Sequence, residues 1–170
     1  SFVDTKQNAS VSAGSITVDT TYESQANAVS RQPNGGVGAT LAAYSYNANI
    51  ATAVAKTIAE AKICGNGSVT ATTGKITVKV TGNGKAEATN EQPKASVSGI
   101  NIAANVNTAT FAATQRAIID GPTVSGKAGV EVTSTFNEGG KEAAIAYIGG
   151  TGVSASLVGA GVSTAVATAA

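Results

Sequence analysis

The sequence predicts an all-β protein built as a repetitive parallel β-solenoid, a β-helix of stacked coils. Three observations predict it. Segments recur at a spacing of 56 to 60 residues, the sign of an architecture in which each unit stacks on the next. Apolar and polar residues alternate with period two over β-branched stretches, which is the strand pattern. Finally, short side chains dominate, with 4% aromatic and 12% charged residues and neither Trp nor Met. A core of large side chains is excluded by that composition, so burial has to be summed over many small contributions.

The units follow in order. Ser1 to Asp4 reads as the tail of a preceding repeat, residues 5–64 as repeat one, 65–120 as repeat two and 121–170 as repeat three, truncated, all in one continuous solenoid. Ala13-Gly14-Ser15-Ile16-Thr17-Val18 matches Thr73-Gly74-Lys75-Ile76-Thr77-Val78 at an offset of 60. Ala61-Lys62-Ile63-Cys64-Gly65 matches Ala117-Ile118-Ile119-Asp120-Gly121 at 56, so repeat one carries extra residues near Ala42 to Tyr46. In repeat three, Gly129-Val130-Glu131-Val132 aligns with Lys75-Ile76-Thr77-Val78 and Val162-Ser163-Thr164-Ala165 with Val106-Asn107-Thr108-Ala109. The chain starts with Ser and its last repeat stops before an Ile-Asp-Gly ending, so it reads as a processed or excised piece.

Within each repeat, Ile16, Val18 and Tyr22, then Ile76, Val78 and Val80, then Val130, Val132 and Phe136 mark strands by alternation. Turns are expected at Pro33-Asn34-Gly35-Gly36, Gly65-Asn66-Gly67, Gly82-Asn83-Gly84, Asn137-Glu138-Gly139-Gly140 and Gly149-Gly150, where Gly and Asn accept positive φ. Ala51 to Lys62 has helical composition, but its counterpart Thr108 to Arg116 is Thr-rich and reads as strand, and equivalent units share a backbone. A repeat of this length divides into about three coils of roughly 20 residues, giving some eight or nine coils and a rod about 40 Å long at the usual strand spacing. The alternative is an antiparallel sandwich or meander, with Val80 to Ala86 and Phe136 to Lys141 as hairpin connections.

Several functions are disfavoured. A net charge of +1 leaves no footprint for nucleic acid, and no apolar run is long enough for a membrane span. There is no His to serve as general base or zinc ligand, and the single Cys64 has no imidazole to activate it; it reads as a small, partly buried apolar residue. The carboxylate pairs Asp19 and Glu23, Glu87 and Glu91, and Glu138 and Glu142 sit among Lys, Asn and Gly as solvated faces. Gly35-Gly36-Val37-Gly38 has the glycines of a calcium β-roll without its Asp. Thr70, Thr72, Thr77 and Thr81 form an irregular Thr series rather than an ice-ordering array. The expectation is therefore a non-enzyme with no catalytic residue, no cofactor and no metal.

The segment from Ala95 to Gly121 is the best-defined module. Its run Ala-Ser-Val-Ser-Gly-Ile-Asn-Ile-Ala-Ala-Asn-Val-Asn-Thr-Ala-Thr-Phe, continued to Ala117-Ile118-Ile119-Asp120-Gly121, resembles the repeats of very large secreted bacterial surface proteins, the leukotoxin-like filamentous adhesins. Repeat one departs from that pattern at Cys64, where Asp is expected. The resemblance implies an extracellular location at the bacterial cell surface and a structural or adhesive role in a filament or fibre. Its implied partners are further copies of the same repeat, in the same chain or in neighbouring subunits, and host or surface glycans or proteins. The alternatives are a polysaccharide-active β-helix enzyme or an ice- or glycan-binding solenoid.

Overall fold

The computed structural model describes residues 1–6, 9–31, 42–91, 95–139, 141–149 and 153–169. These form eleven strands: β1 (Phe2–Thr5), β2 (Ser10–Ala13), β3 (Ile16–Arg31), β4 (Ala42–Gly65), β5 (Ser68–Ala71), β6 (Ile76–Glu91), β7 (Ala95–Asp120), β8 (Thr123–Gly126), β9 (Val130–Phe136), β10 (Ala144–Gly149) and β11 (Val153–Ala169). There is no α-helix among the described residues. Ala51 to Lys62 lies inside β4, where Ala51, Ala53, Ala55, Ala59, Ala61 and Ile63 are buried and Ile50, Val54 and Ile58 are exposed. Burial with period two, not 3.6, is what a strand imposes.

Three sheets result, ordered β1-β4-β7-β11, β2-β5-β8 and β10-β6-β3, with β9 also on β6. Each pairing whose register is described is parallel. Phe2 lies beside Lys62, Ser10 beside Ser68, Ser68 beside Thr123, Ile76 beside Val130, Ala86 beside Ala144 and Ala95 beside Val153. Neighbours are thus one repeat length apart. That corrects two expectations. A coil of about 20 residues would pair strands some 20 positions apart, and none of these registers does so; the repeat itself is the stacking period. The hairpins fail as well, because Val80 to Ala86 runs straight through β6, and β9 and β10 both lie parallel to β6 on either side of the Phe136 to Lys141 connection.

The expected alignments match some registers and miss another. Val130 stands beside Ile76 as the alignment requires, whereas Val162 stands beside Ala104, two residues from its expected partner Val106. A slip of two keeps every side chain on its own face, so the alternation tolerates it.

The chain forms two compact units. The first comprises Ser1–Ser24, Lys56–Gly84 and Ala112–Lys141. Its core is aliphatic: Ile63, Val69, Ile76, Val78 and Val80 are fully buried, Ile16 and Val18 nearly so, and Val3, Tyr22, Ala117, Ile119 and Val124 pack against them. At its corners Gly65 and Gly121 take positive φ, 108° and 95°, and a Cβ on Gly121 would meet the Gly65 carbonyl oxygen. Only glycine fits a left-handed corner stacked directly on another.

The second unit comprises Gln25–Ala55, Lys85–Phe111 and Glu142–Ala170. Its buried residues are small, Ala51, Ala53, Ala86, Ala88 and Ala109, with Phe111 the one large side chain among those described. Four buried asparagines complete it: Asn49, Asn90, Asn105 and Asn107.

Replacing Ile63 by Ala is expected to lower unfolding free energy by about 2–5 kcal/mol, because the side chain is 0% exposed. Replacing Ile58, 83% exposed on the other face of the same strand, should change it by less than about 0.5 kcal/mol. Urea denaturation of the two variants distinguishes this from a helical or register-shifted β4, in which the larger effect would move to Ile58.

Candidate functional sites: buried amides and open strand edges

Asn137 completes a ladder that the backbone leaves unfinished. It follows β9 at φ 46°, in the left-handed region that Asn tolerates better than most residues. Its own N–H donates to the Gly82 carbonyl at 2.9 Å. Its side-chain Oδ1 then accepts from the Gly84 N–H at 2.8 Å, and its Nδ2 donates to the Gly84 carbonyl at 3.0 Å and to the Lys141 carbonyl at 3.3 Å. One amide side chain therefore imitates a strand residue between β9 and β10. Gly82 and Gly84 are accordingly strand positions and not the turn that Gly82-Asn83-Gly84 suggests.

Gly82 has a second reason to be glycine. A Cβ there would fall on the Tyr22 ring and on Gln115. Gln115 of β7 donates through Nε2 to the Tyr22 hydroxyl at 2.6 Å, and its Oε1 accepts from the Ser134 hydroxyl at 3.0 Å. A single chain of hydrogen bonds thus ties β3, β7 and β9. Periodicity gave no hint of Gln115.

In the second unit the asparagines form a buried amide cluster. Asn105 Oδ1 accepts from Asn49 Nδ2 at 3.1 Å and from Asn90 Nδ2 at 3.3 Å. Asn107 Nδ2 donates to the Tyr147 carbonyl at 2.5 Å and to the Ala88 carbonyl at 3.5 Å. These bonds reach across β4, β6, β7 and β10. Asn90 Oδ1 and Asn107 Oδ1 are buried without a partner; the amide groups that are paired favour the alignment of strands that brings them together, because each would be costly to leave unpaired.

The surface carries scattered ion pairs: Lys6 with Asp4, Lys62 with Asp120, Lys75 with Glu131 and Lys85 with Glu87. Lys75 Nζ donates to Glu131 Oε2 at 2.8 Å. That hydrogen bond, then the opposite charge, holds the Glu131 carboxyl below its ordinary value and the Lys75 ammonium above its own.

The residues singled out in the sequence do not converge. Asp19 and Glu23 both point outward from β3, four residues apart, about 13 Å at the strand rise and beyond the separations at which two carboxyls share a glycosidic bond. Glu87 and Glu91 have the same spacing on β6, with Glu87 engaged by Lys85 at 2.7 Å. Glu138 and Glu142 are exposed in the connection before β10. Thr70 lies on β5, Thr72 in the bend after it, and Thr77 and Thr81 on β6 with Lys79 between them. Cys64 is half-buried in β4 beside Asp4, and its carbonyl accepts from the Thr5 hydroxyl at 3.0 Å. Gly35 to Gly38 lie outside the described residues. Among the described residues, no cluster of His, Cys, Asp or Glu able to hold a metal occurs and no helix is long and apolar enough to cross a membrane.

What the geometry does present is edges. Among the described residues, β2 and β8 flank the short sheet, β1 and β11 the longest one, and β3 has β6 on one side only. Comparison with family models, curated proteins and solved structures finds no match to this chain.

Asn137→Ala should leave both polar groups of Gly84 unsatisfied and cost about 1–3 kcal/mol for each, read by denaturant unfolding, with Asn137→Asp recovering part of the loss. For the ion pair, a lowered Glu131 value means its stabilisation is present above the ordinary carboxylate range and is lost as pH falls through the lowered value. Raised Lys75 loses its contribution only as pH rises through the raised value. Unfolding curves of the unsubstituted chain and Glu131→Gln should therefore differ slightly at neutral pH and converge in acid.

Proposed function

We propose that this chain is a structural segment or subunit of an extracellular bacterial surface filament or adhesin, built as a parallel β-solenoid in which one repeat makes one coil. One observation carries the reading: hydrogen-bonded neighbours stand one repeat apart and parallel, so each repeat is the template on which the next is laid. A stack of this kind has no intrinsic length, because every rung repeats the one before it. Two further features support a mechanical role. The small buried residues let sheets be built from Ala, Thr, Ser and Asn without large side chains, and the repeat pattern resembles that of secreted filamentous adhesins.

Its partners are further copies of the repeat, with surface glycans or proteins as the adhesive target. The carboxylate spacings favour no enzymatic alternative. Antibodies raised against the 170-residue chain should label intact source cells, and the label should vanish after mild surface proteolysis. Labelling that requires lysis would overturn the location and with it the filament.

A further inference from the structure

We propose that the second compact unit encloses water as part of its fold: Asn90 Oδ1 of β6 and Asn107 Oδ1 of β7 each accept a hydrogen bond from a buried water molecule. The proposal uses only the interior of that unit and is independent of the filament reading.

Both oxygens are acceptors that the protein leaves unserved. The two side chains are 0% exposed, so bulk solvent does not reach them, and neither oxygen has a hydrogen-bond partner among the protein's own groups. Turning the amides over does not help. Asn90 Nδ2 donates to the Asn49 carbonyl at 3.4 Å and to Asn105 Oδ1 at 3.3 Å, and Asn107 Nδ2 to the carbonyls of Tyr147 and Ala88 at 2.5 and 3.5 Å. All four partners are oxygens. A reversed amide would set its own oxygen against two others, so the partners fix the orientation and the donor for each Oδ1 has to come from outside the chain. Asn137, in the first unit, shows the other solution: its Oδ1 accepts the Gly84 N–H.

The surroundings fit water and not a metal ion. On the inward faces, Ala86 and Ala88 precede Asn90 along β6, and Asn105 and Ala109 flank Asn107 along β7, all of them buried. An alanine reaches less far inward than an amide, and a water needs only a small polar space beside such a group. A hard cation calls for about six or more oxygens, carboxylates among them. The carboxylate nearest in sequence on β6, Glu87, alternates with the inward Ala86 and Ala88 and is engaged by Lys85 at 2.7 Å. Two neutral acceptors match a neutral ligand that carries O–H donors. Burying an amide oxygen without a donor is costly, whereas an ordered water restores the hydrogen bond for little more than its own immobilisation. Both amides reach from one strand to the other, Asn90 to Asn105 and Asn107 to Ala88, so the water belongs to the contact between β6 and β7.

Crystals of the 170-residue chain that diffract well enough to show ordered solvent test this directly. A water oxygen should lie about 2.5–3.0 Å from Asn90 Oδ1 and another, or the same one, at that distance from Asn107 Oδ1. Either oxygen facing only carbon, or accepting from a protein N–H or O–H, would overturn the proposal. Magnetic relaxation dispersion of isotopically labelled water gives the solution test, because it reports water held inside the protein for longer than surface water. Its amplitude should fall in the double variant Asn90→Leu, Asn107→Leu, which nearly keeps volume while removing both acceptors, and should be unchanged in Lys85→Ala, a surface substitution in the same unit. An undiminished amplitude in a double variant that keeps the far-ultraviolet circular dichroism of the unsubstituted chain would sink the idea. If the double variant does not fold, the crystal result decides.

Discussion

Parallel pairing at one repeat length is the constraint from which the remaining features follow. In the registers described, a side chain has for its neighbour a side chain about one repeat away in sequence, about 4.8 Å distant. A position suits the stack only if its occupants tolerate such company. Inward columns therefore hold residues that nest on one another, such as Ile16 and Ile76, or Ala86 and Ala144. The small inward residues of the second unit, among them Ala51, Ala53, Ala88 and Ala109, are the same solution in smaller side chains.

Two polar devices set what nonpolar stacking leaves loose. Aliphatic columns have no directional preference, and a slip of two residues preserves all of them. The amides do not share that tolerance. Asn49 and Asn90 meet at Asn105 Oδ1, and Asn137 fits only opposite Gly84, so a slipped strand would bury amide groups without partners. The pairing of Val162 with Ala104, two residues from its aligned partner Val106, shows such a slip of two on β11.

Strand content was legible in the sequence because period-two burial is a local property: Ile76, Val78 and Val80 state their own orientation. The repeat likewise identified which residues become neighbours, down to Val130 beside Ile76. The stacking distance was not legible, since a 56–60 residue spacing is equally compatible with strands paired one repeat apart or at a fraction of it until backbone pairing decides. Gly82 and Gly84 misled for a related reason. Glycine marks a turn when its φ is used, but here it makes room for the Tyr22 ring and receives the Asn137 side chain, demands set by residues more than fifty positions away. Gln115 was invisible for the same reason: a polar residue facing inward looks like a fault until Tyr22 and Ser134 are seen to meet it.

The same logic of columns accounts for Cys64. In register it stands beside Asp4, and its repeat equivalent is Asp120. An aspartate at 64 would line up three carboxylates in one column, each with a like charge about 4.8 Å from it, a spacing at which cross-strand repulsion opposes pairing. Lys6 lies 3.4 Å from Asp4 and Lys62 3.3 Å from Asp120, so each outer carboxylate has its own cation. A side chain without a carboxylate in the middle rung lets both ion pairs persist. Cys64, between Asp4 and its repeat equivalent Asp120, thus spares the column a run of three like charges.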